Sequence, residues 1–286
     1  MKFTKLHGLG NDYVYVNCFT EDLTGVDLPE LARRVSDRHF GVGGDGLILI
    51  MPSERADFRM RVFNNDGSEA KNCGNGLRCV SKYVFDHGLT TAHTFTVETL
   101  GGIMTPVVSL DQEGKVEQVT IDMGEPRFER AAIPMTGIPE EKALEETIEV
   151  DGEAFTMTAV SMGNPHAILF MDEVLDEDVL KYGPKIEFHE WFPERTNVEF
   201  IQILDRQEIH FRVWERGSGV TLACGTGACA AAVAAILSGR TDRKVTVHLA
   251  GGDLFIEWRE SDNHVFMTGP ATEVFSGVYQ GSIPYK

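Results

Sequence analysis

Two short stretches pair a cysteine with glycines, Asn72-Cys73-Gly74-Asn75-Gly76 and Ala223-Cys224-Gly225-Thr226-Gly227. In both, Cys-Gly-x-Gly runs straight into a helix-forming segment, which puts the cysteine at a helix N-terminus. The first backbone N–H groups of a helix lack intrahelical partners, and the aligned peptide dipoles leave partial positive charge there. Two glycines let a ligand approach that backbone without Cβ atoms in the way, so each stretch can hold a carboxylate or a phosphate. A thiolate in the same place is stabilised, and an acidified, reactive thiol is the expectation. Two such thiols on opposite sides of one small molecule suit stereoinversion at carbon. One sulfur removes a proton from one face, the other returns one to the opposite face, and the roles exchange in the reverse direction. The anion formed by proton loss α to a carboxylate would sit at two helix N-termini, where it is stabilised electrostatically.

The other three cysteines do not share that setting. Cys79 and Cys229 lie six and five residues beyond the first pair (79 − 73 and 229 − 224) and, with Cys18, read as packing residues. Those gaps exceed the two to four residues that structural zinc sites favour, and the chain has no Cys-x-x-Cys redox motif, so neither a metal nor a dithiol switch is expected. A disulfide between Cys73 and Cys224 would be an inactivated state. His7 and His39 read as local structure, Asp66-Gly67 and Asp151-Gly152 as turns, Asn65 and Asn72 as turn formers, and Trp191, Trp214 and Trp258 as core or interface aromatics.

The elements that carry these residues are written twice. Leu9-Gly10-Asn11 matches Met162-Gly163-Asn164 (164 − 11 = 153) and Cys73-Gly74-Asn75-Gly76 matches Cys224-Gly225-Thr226-Gly227 (224 − 73 = 151). Gly101-Gly102 matches Gly251-Gly252 (251 − 101 = 150). Three anchors in one order at nearly constant offset indicate a duplicated module. Strands are predicted over Phe58–Phe63, Thr94–Val97, Val116–Ile121, Ile209–Trp214, Val245–Val247 and Asp253–Trp258. Helices are predicted over Pro29–Ser36, Leu77–His87 and Ala228–Ser238, the last two stopped by Gly88 and Gly239. Arg127–Gly152, with Pro134, Pro139 and the acidic run Glu140–Glu149, reads as the connection between modules. The expected fold class is α+β: two pseudo-symmetric lobes, each a curled mixed or antiparallel sheet around a central helix. The lobes are expected at 1–121, completed by 272–286, and 122–271, with the ligand in a cleft between them.

Composition narrows the partners. The 286 residues carry 26 Lys+Arg against 44 Asp+Glu, a formal charge of −18, which repels nucleic-acid phosphates and anionic lipid; neither nucleic acid nor a membrane is an expected partner. The first residues, MKFTKLHGLGNDYVYVNCF, lack the apolar core and cleavage site of a signal peptide. The longest apolar run, Ala228 to Leu237, is far short of the roughly 20 residues of a membrane span. Five cysteines, an odd number, fit free thiols in a reducing compartment, so a cytoplasmic location is expected.

Taken together, the motifs resemble the diaminopimelate epimerases, a cofactor-independent family of lysine and cell-wall precursor synthesis. The likeness covers essentially the whole chain. It includes HGLGND (His7–Asp12), GVGGD (Gly41–Asp45), FNNDGS (Phe63–Ser68), NCGNG (Asn72–Gly76), GNPH (Gly163–His166), Thr196-Asn197, WERG (Trp214–Gly217) and ACGTG (Ala223–Gly227). The resemblance implies interconversion of LL- and meso-2,6-diaminopimelate with Cys73 and Cys224 as the acid/base pair and no cofactor or metal. It implies that Gly74-Asn75 and Gly225-Thr226 bind the reacting carboxylate through backbone N–H groups. Asn11, Asn64, Asn164, Asn197, Glu215 and Arg216 would bind the substrate's amino and carboxylate groups, while His166 and Glu215 tune the cysteines. A cytoplasmic homodimer is also implied.

One departure is Gly46, where many members of that family carry a substrate-contacting glutamine. The proline racemases and hydroxyproline epimerases, which share two-thiol chemistry, are the nearest alternative; there the first cysteine precedes Gly-His-Gly rather than Gly-Asn-Gly. Of a different class, a non-catalytic small-anion-binding protein or a thiol redox switch would use the same two motifs. A pyridoxal-phosphate racemase would need a Schiff-base lysine, which a two-thiol arrangement makes unnecessary.

Overall fold

Both halves of the chain build the same succession of elements. The computed structural model describes residues 1–71 and 73–286, and Asn72 lies outside the described residues. One unit is Met1–Ile121 with Gly269–Lys286, the other Asp122–Thr268. The first contains β1 (Lys2–Gly8), β2 (Asn11–Asn17), α1 (Leu28–Ser36), β3 (Gly46–Met51), β4 (Phe58–Asn64), β5 (Glu69–Ala70), α2 (Gly74–Asp86), β6 (Val97–Thr99), β7 (Gly102–Met104), β8 (Val107–Leu110) and β9 (Val116–Asp122). The second contains β10 (Glu146–Val150), β11 (Glu153–Ser161), β12 (Pro165–Phe170), α3 (Asp176–Glu187), β13 (Asn197–Ile203), β14 (Glu208–Glu215), β15 (Gly219–Val220), α4 (Gly225–Leu237), β16 (Lys244–Leu249), β17 (Gly252–Trp258) and β18 (Val265–Gly269). The last strand, β19 (Thr272–Val278), pairs antiparallel with β1.

Neighbouring strands run β19-β1-β2-β3-β4-β6-β7 in the first unit and β10-β11-β12-β13-β14-β16-β17-β18 in the second. The pairings correspond. β2–β3 and β12–β13 are parallel, β3–β4 and β13–β14 antiparallel, β4–β6 and β14–β16 parallel, and β6–β7 and β16–β17 antiparallel. The glycine anchors mark the matching turns: Gly102 and Gly252 sit at φ 132° and 131°, a conformation only glycine enters freely.

The segment 127–152 is not a connection. β10 pairs with β11 through a turn at Asp151-Gly152, both residues at positive φ, and Ile133, Met135, Ala143, Ile148 and Val150 belong to the second unit's core. Two prolines and an acidic run suggested a linker, but Glu146-Thr147-Ile148-Glu149-Val150 alternates outward polar with inward apolar side chains, the pattern of a half-buried strand. α3 was not anticipated either, because Pro184 reads as a helix breaker. Its acidic first turn, Asp176 to Asp178, suits the helix dipole, and Val179, Tyr182 and Ile186 face the core. Gly183 admits Trp214, whose Cβ would lie 2.6 Å from a Cβ there.

The strands predicted over 58–63, 116–121, 209–214, 245–247 and 253–258 fall within β4, β9, β14, β16 and β17. Regular pairing near Thr94 begins only at Val97. α2 and α4 each start three residues earlier than predicted, because the Gly-x-Gly stretches form their first turns. α4 is buried nearly all round, so its apolar run is a core helix; among the described residues no helix is long and apolar enough to cross a membrane. Cys79 and Cys229 are fully buried, whereas Cys18 is only half-buried. Burial pushes the Cys79 thiol up to about 12. His7 accepts the Gly10 N–H through Nδ1 (3.3 Å), a local turn contact.

A charge network ties the β1–β2 hairpin to the loop before β3. Asp12 contacts Lys5 Nζ at 2.7 Å and Arg38 Nη2 at 2.8 Å. Burial opposes ionisation of Asp12, yet the hydrogen bonds from Arg38 and Lys5 outweigh it and hold the carboxyl below the usual carboxylate range. A depressed folded-state value stabilises the fold above the unfolded carboxylate range, and that contribution is lost as pH falls from there through the lowered folded-state value. Asp12→Asn should therefore cost on the order of 1 kcal/mol at pH 7. Denaturant midpoints of the two proteins should converge as pH is lowered below the usual carboxylate range; a gap independent of pH would refute the charge assignment.

Candidate active site

Cys73 and Cys224 are the N-cap residues of α2 and α4, with extended backbones (φ −147° and −120°, ψ 104° in both). Each sulfur accepts the N–H of the third residue on: Gly76 N lies 3.2 Å from Cys73 Sγ and Gly227 N 3.4 Å from Cys224 Sγ. The sulfur thus does what a serine or aspartate oxygen does at most helix starts. Space dictates the second glycine of each motif. A Cβ on Gly76 would lie 2.6 Å from Ile48 Cδ1 and 3.2 Å from Cys73 Sγ; one on Gly227 would lie 2.7 Å from Glu199 Oε1 and 3.1 Å from Cys224 Sγ.

In the first unit, Asn11 at the start of β2 links the thiol to the GVGGD loop. Its Nδ2 donates to Asp45 Oδ2 (2.7 Å), which leaves Oδ1 to accept from Cys73 Sγ (3.7 Å) and Asn75 Nδ2 (3.2 Å). Asp45 also accepts the Asp12 N–H (3.1 Å) and pairs with Arg38 (3.0 Å), so the loop's carboxylate decides which way the Asn11 amide points. Asn64 donates through Nδ2 to Ser68 Oγ (3.0 Å) and stands opposite Gly46 in the β3–β4 register.

Gly46 itself has no room for a side chain. A Cβ there would run into the Phe63 carbonyl oxygen and lie 2.7 Å from Tyr13 Cε1. Tyr13, buried and paired with Gly46 across β2–β3, has its hydroxyl within reach of Cys73 and Asn11. Burial, with the Cys73 and Asp45 charges, disfavours its ionisation, so the phenol keeps its proton.

In the second unit the equivalent positions carry different side chains. Tyr13 corresponds to His166 (166 − 13 = 153) and Gly46 to Asn197 (197 − 46 = 151), and each pair is in register across the equivalent parallel strands. His166 and Glu199 are both fully buried, with Nδ1 2.6 Å from Glu199 Oε1. His166 Nε2 lies 3.0 Å from Asn164 Oδ1, Asn164 Nδ2 donates to Thr226 Oγ1 (3.3 Å), and Thr226 Oγ1 lies 3.7 Å from Cys224 Sγ. Asn197 donates to the Pro165 carbonyl and accepts the Arg216 N–H, both at 2.9 Å, so it fixes the backbone of Arg216. The Arg216 guanidinium reaches the Glu194 carbonyl at 3.2 Å, and Glu215 accepts from the Thr221 hydroxyl.

An acidified thiol is not what burial produces at Cys224. Loss of solvent raises it well above the ordinary thiol value, and the Glu215 and Glu199 charges push the same way. The Gly227 N–H and Thr226 hydroxyl oppose this without overcoming it. The helix-start N–H groups are the electrostatic donors that local spacing indicates, but the fold also brings two carboxylates up against the sulfur.

The structure thus groups Asn11, Cys73 and Asn75 in one cluster, with Gly74 in the first turn of α2. It groups Asn164, His166, Thr226 and Cys224 in another, with Gly225 in the first turn of α4 and Asn197 and Arg216 joined beside β12. Sequence reasoning missed Tyr13, the part played by Asp45, and Glu199. Glu199 left a trace, an acid within the otherwise apolar run Val198–Ile201. Tyr13 could have been reached by extending the 153-residue offset two positions beyond Asn11. Among the described residues no group of three or more His, Cys, Asp or Glu could hold a metal ion.

A family model described as diaminopimelate epimerase matches residues 3–129 and 158–274. The chain is 58% identical over 279 residues to the diaminopimelate epimerase of Moorella thermoacetica (97% of this chain, 98% of that protein). It is 56% identical over 277 residues to that of Acetivibrio thermocellus, with the same coverage. Among solved structures it is similar to a Bacillus anthracis phenazine biosynthesis protein of the PhzF family (TM-score 0.68, 17% identity, 97% of this chain and 98% of the other). It is also similar to a hydroxyproline epimerase from Agrobacterium vitis (TM-score 0.66, 14% identity, 98% and 91%). At these identities the two structures show a shared fold.

The raised Cys224 thiol has a measurable consequence. In the unliganded protein, alkylation of Cys224 followed by peptide mass spectrometry should keep accelerating above pH 9, where an ordinary thiol levels off. A midpoint below 8 would contradict the burial argument.

Proposed function

Because the chain belongs to the diaminopimelate epimerase family, we propose that it interconverts LL- and meso-2,6-diaminopimelate by proton transfer at the α-carbon through Cys73 and Cys224, without a cofactor. The observation that carries the reading is the pair of sulfurs capping equivalent helices of a duplicated fold, in a chain this similar to named epimerases. The reaction belongs to the synthesis of lysine and of peptidoglycan precursors.

In the reaction one sulfur, as thiolate, takes the α-proton and becomes a thiol, while the other, as thiol, gives its proton to the opposite face and becomes a thiolate. No net proton is consumed, and the reverse reaction exchanges the two roles. The reacting carboxylate lies at the backbone N–H groups of Gly74-Asn75 and Gly225-Thr226, where negative charge that develops on the α-carbon is stabilised by the helix starts. Arg216 can bind a distal carboxylate through two parallel N–H bonds, and Asn11, Asn64, Asn164, Asn197 and Glu215 complete the polar lining. His166 and Glu215 tune the thiols: Glu215 raises Cys224, which favours its action as an acid until substrate binding changes its surroundings. Tyr13, whose ring carbon Cε1 would lie 2.7 Å from a Cβ on Gly46, takes up the room beside the position where the family's glutamine would otherwise stand.

The reading extends to a cytoplasmic homodimer. Val274, Phe275 and Val278 are exposed on β19, the edge strand of the first unit's sheet, which supports association with a second copy; light scattering after gel filtration should give twice the chain mass.

Cys73→Ser and Cys224→Ser should each lower kcat by about 1,000-fold or more with folding retained. In deuterated water, early product formed from LL-diaminopimelate should carry deuterium at the α-carbon while recovered substrate does not; equal early labelling of both would refute two-base chemistry. Arg216→Ala should raise KM more than Cys73→Ser does, and unchanged binding would remove Arg216 from the substrate site. Proline and hydroxyproline should not be turned over.

A further inference from the structure

The buried pair Glu199–His166 has more structure than packing requires. β13 is apolar on both sides of Glu199, with Val198, Phe200 and Ile201 fully buried, yet it carries a fully buried carboxylate whose Oε2 has no hydrogen-bond partner among the described residues. An acid in such a place is costly unless its charge is matched. The match is His166, whose other nitrogen begins a chain of side chains that reaches Cys224.

The direction of that chain follows from donor and acceptor types. Thr226 Oγ1 receives the Asn164 Nδ2, so the amide turns its oxygen to His166 Nε2. That oxygen can only accept, and Nε2 must therefore carry a hydrogen. Nδ1 faces the Glu199 carboxylate, with which it shares one further proton, and the pair is neutral overall whichever partner holds it. The Thr226 hydroxyl, which accepts from Asn164, keeps its hydrogen and a second lone pair, and it donates that hydrogen to Cys224 Sγ when the sulfur is a thiolate.

We propose that Glu199 is a positioning residue for the reaction: by anchoring Nδ1 of His166 it aligns a one-way series of donors, His166 to Asn164 to Thr226, that ends on Cys224 Sγ. This rests on the proposed role of Cys224 as acid/base group. The charged groups set against the thiol are Glu199 on β13 and Glu215 on β14, with His166 on β12 reaching it through Asn164 and Thr226. In Glu199→Gln the pair stays neutral. A neutral His166 then either donates more weakly through Nε2 or presents a bare Nε2, which turns the Asn164 amide over and draws the Thr226 hydroxyl away from sulfur. Both outcomes weaken the hydrogen bond that favours the thiolate.

The test is the pH midpoint of Cys224 alkylation in the full-length protein, read by peptide mass spectrometry with Cys73 as internal control. Thr226→Val should raise the Cys224 midpoint by about one unit, roughly tenfold slower at a fixed lower pH. Thr226→Ser should restore it. Glu199→Gln should raise it in the same direction, and the double variant should move it no further than Thr226→Val alone. The Glu199 charge also acts directly on Cys224 and raises it, an effect that Glu199→Gln removes together with the anchor. A lowered midpoint would show that direct charge outweighing the donor chain and would overturn the proposal. Unchanged or additive midpoints would overturn it too. Should Glu199→Gln fail to fold, the ring 15N resonances of His166 in the wild-type protein decide: Nε2 must bear a hydrogen at pH 8, and a bare Nε2 sinks the idea. If the wild type shows no epimerase activity on diaminopimelate yet these shifts appear, the reaction assignment fails and the donor chain stands.

Discussion

Both helices of the repeat begin on a sulfur that accepts a backbone N–H, and much of the local architecture follows from that bond. The acceptor must sit at the N-cap with an extended backbone, so the strand-to-helix turn before it has a defined shape in both units. The donor three residues on must be glycine, because a Cβ would press on the sulfur and, in the second unit, on Glu199. The same contact lowers the energy of a thiolate, which couples the start of each helix to the protonation of its cysteine.

What surrounds the sulfur then decides whether that gain prevails. At Cys224 it does not, because burial and two carboxylates oppose it. Each thiol is also read by an asparagine whose amide is oriented from behind by a carboxylate, directly by Asp45 for Asn11 and through His166 by Glu199 for Asn164. An amide has one accepting end and one donating end, so anchoring one end selects what the other offers. In the first unit Asn11 offers an oxygen to Cys73; in the second Asn164 offers an N–H to Thr226.

The duplication supplies matching scaffold points, and divergence at those points supplies the chemistry. Tyr13 and His166, Gly46 and Asn197, Asn64 and Glu215, and Asn75 and Thr226 occupy equivalent places with different hydrogen-bonding capacity. A substrate with one reacting and one fixed centre needs that asymmetry, since two identical half-sites could not tell its ends apart. Arg216, whose backbone is pinned by Asn197, belongs to the second unit's distinct set.

By itself the sequence determined the repeat, the two cysteines at helix starts and the strands β4, β9, β14, β16 and β17, and it pointed to acid/base chemistry, because each is a matter of local residue type and spacing. Glycine at a positive φ, alternation along β14 and a Cys-Gly-x-Gly before a helix are all legible without neighbours. Helix α3 and strand β10 were hidden, since an internal proline and an acidic, proline-containing run carry the wrong local signal and only packing overrides it. Tertiary structure alone decided that Glu199 backs His166, that Asp45 aims Asn11, that Tyr13 takes the room beside Gly46, and that Cys224 is raised rather than acidified. Those outcomes depend on distances between residues up to 34 positions apart (45 − 11) and on the solvent their contact excludes, and neither quantity is written in the order of the residues.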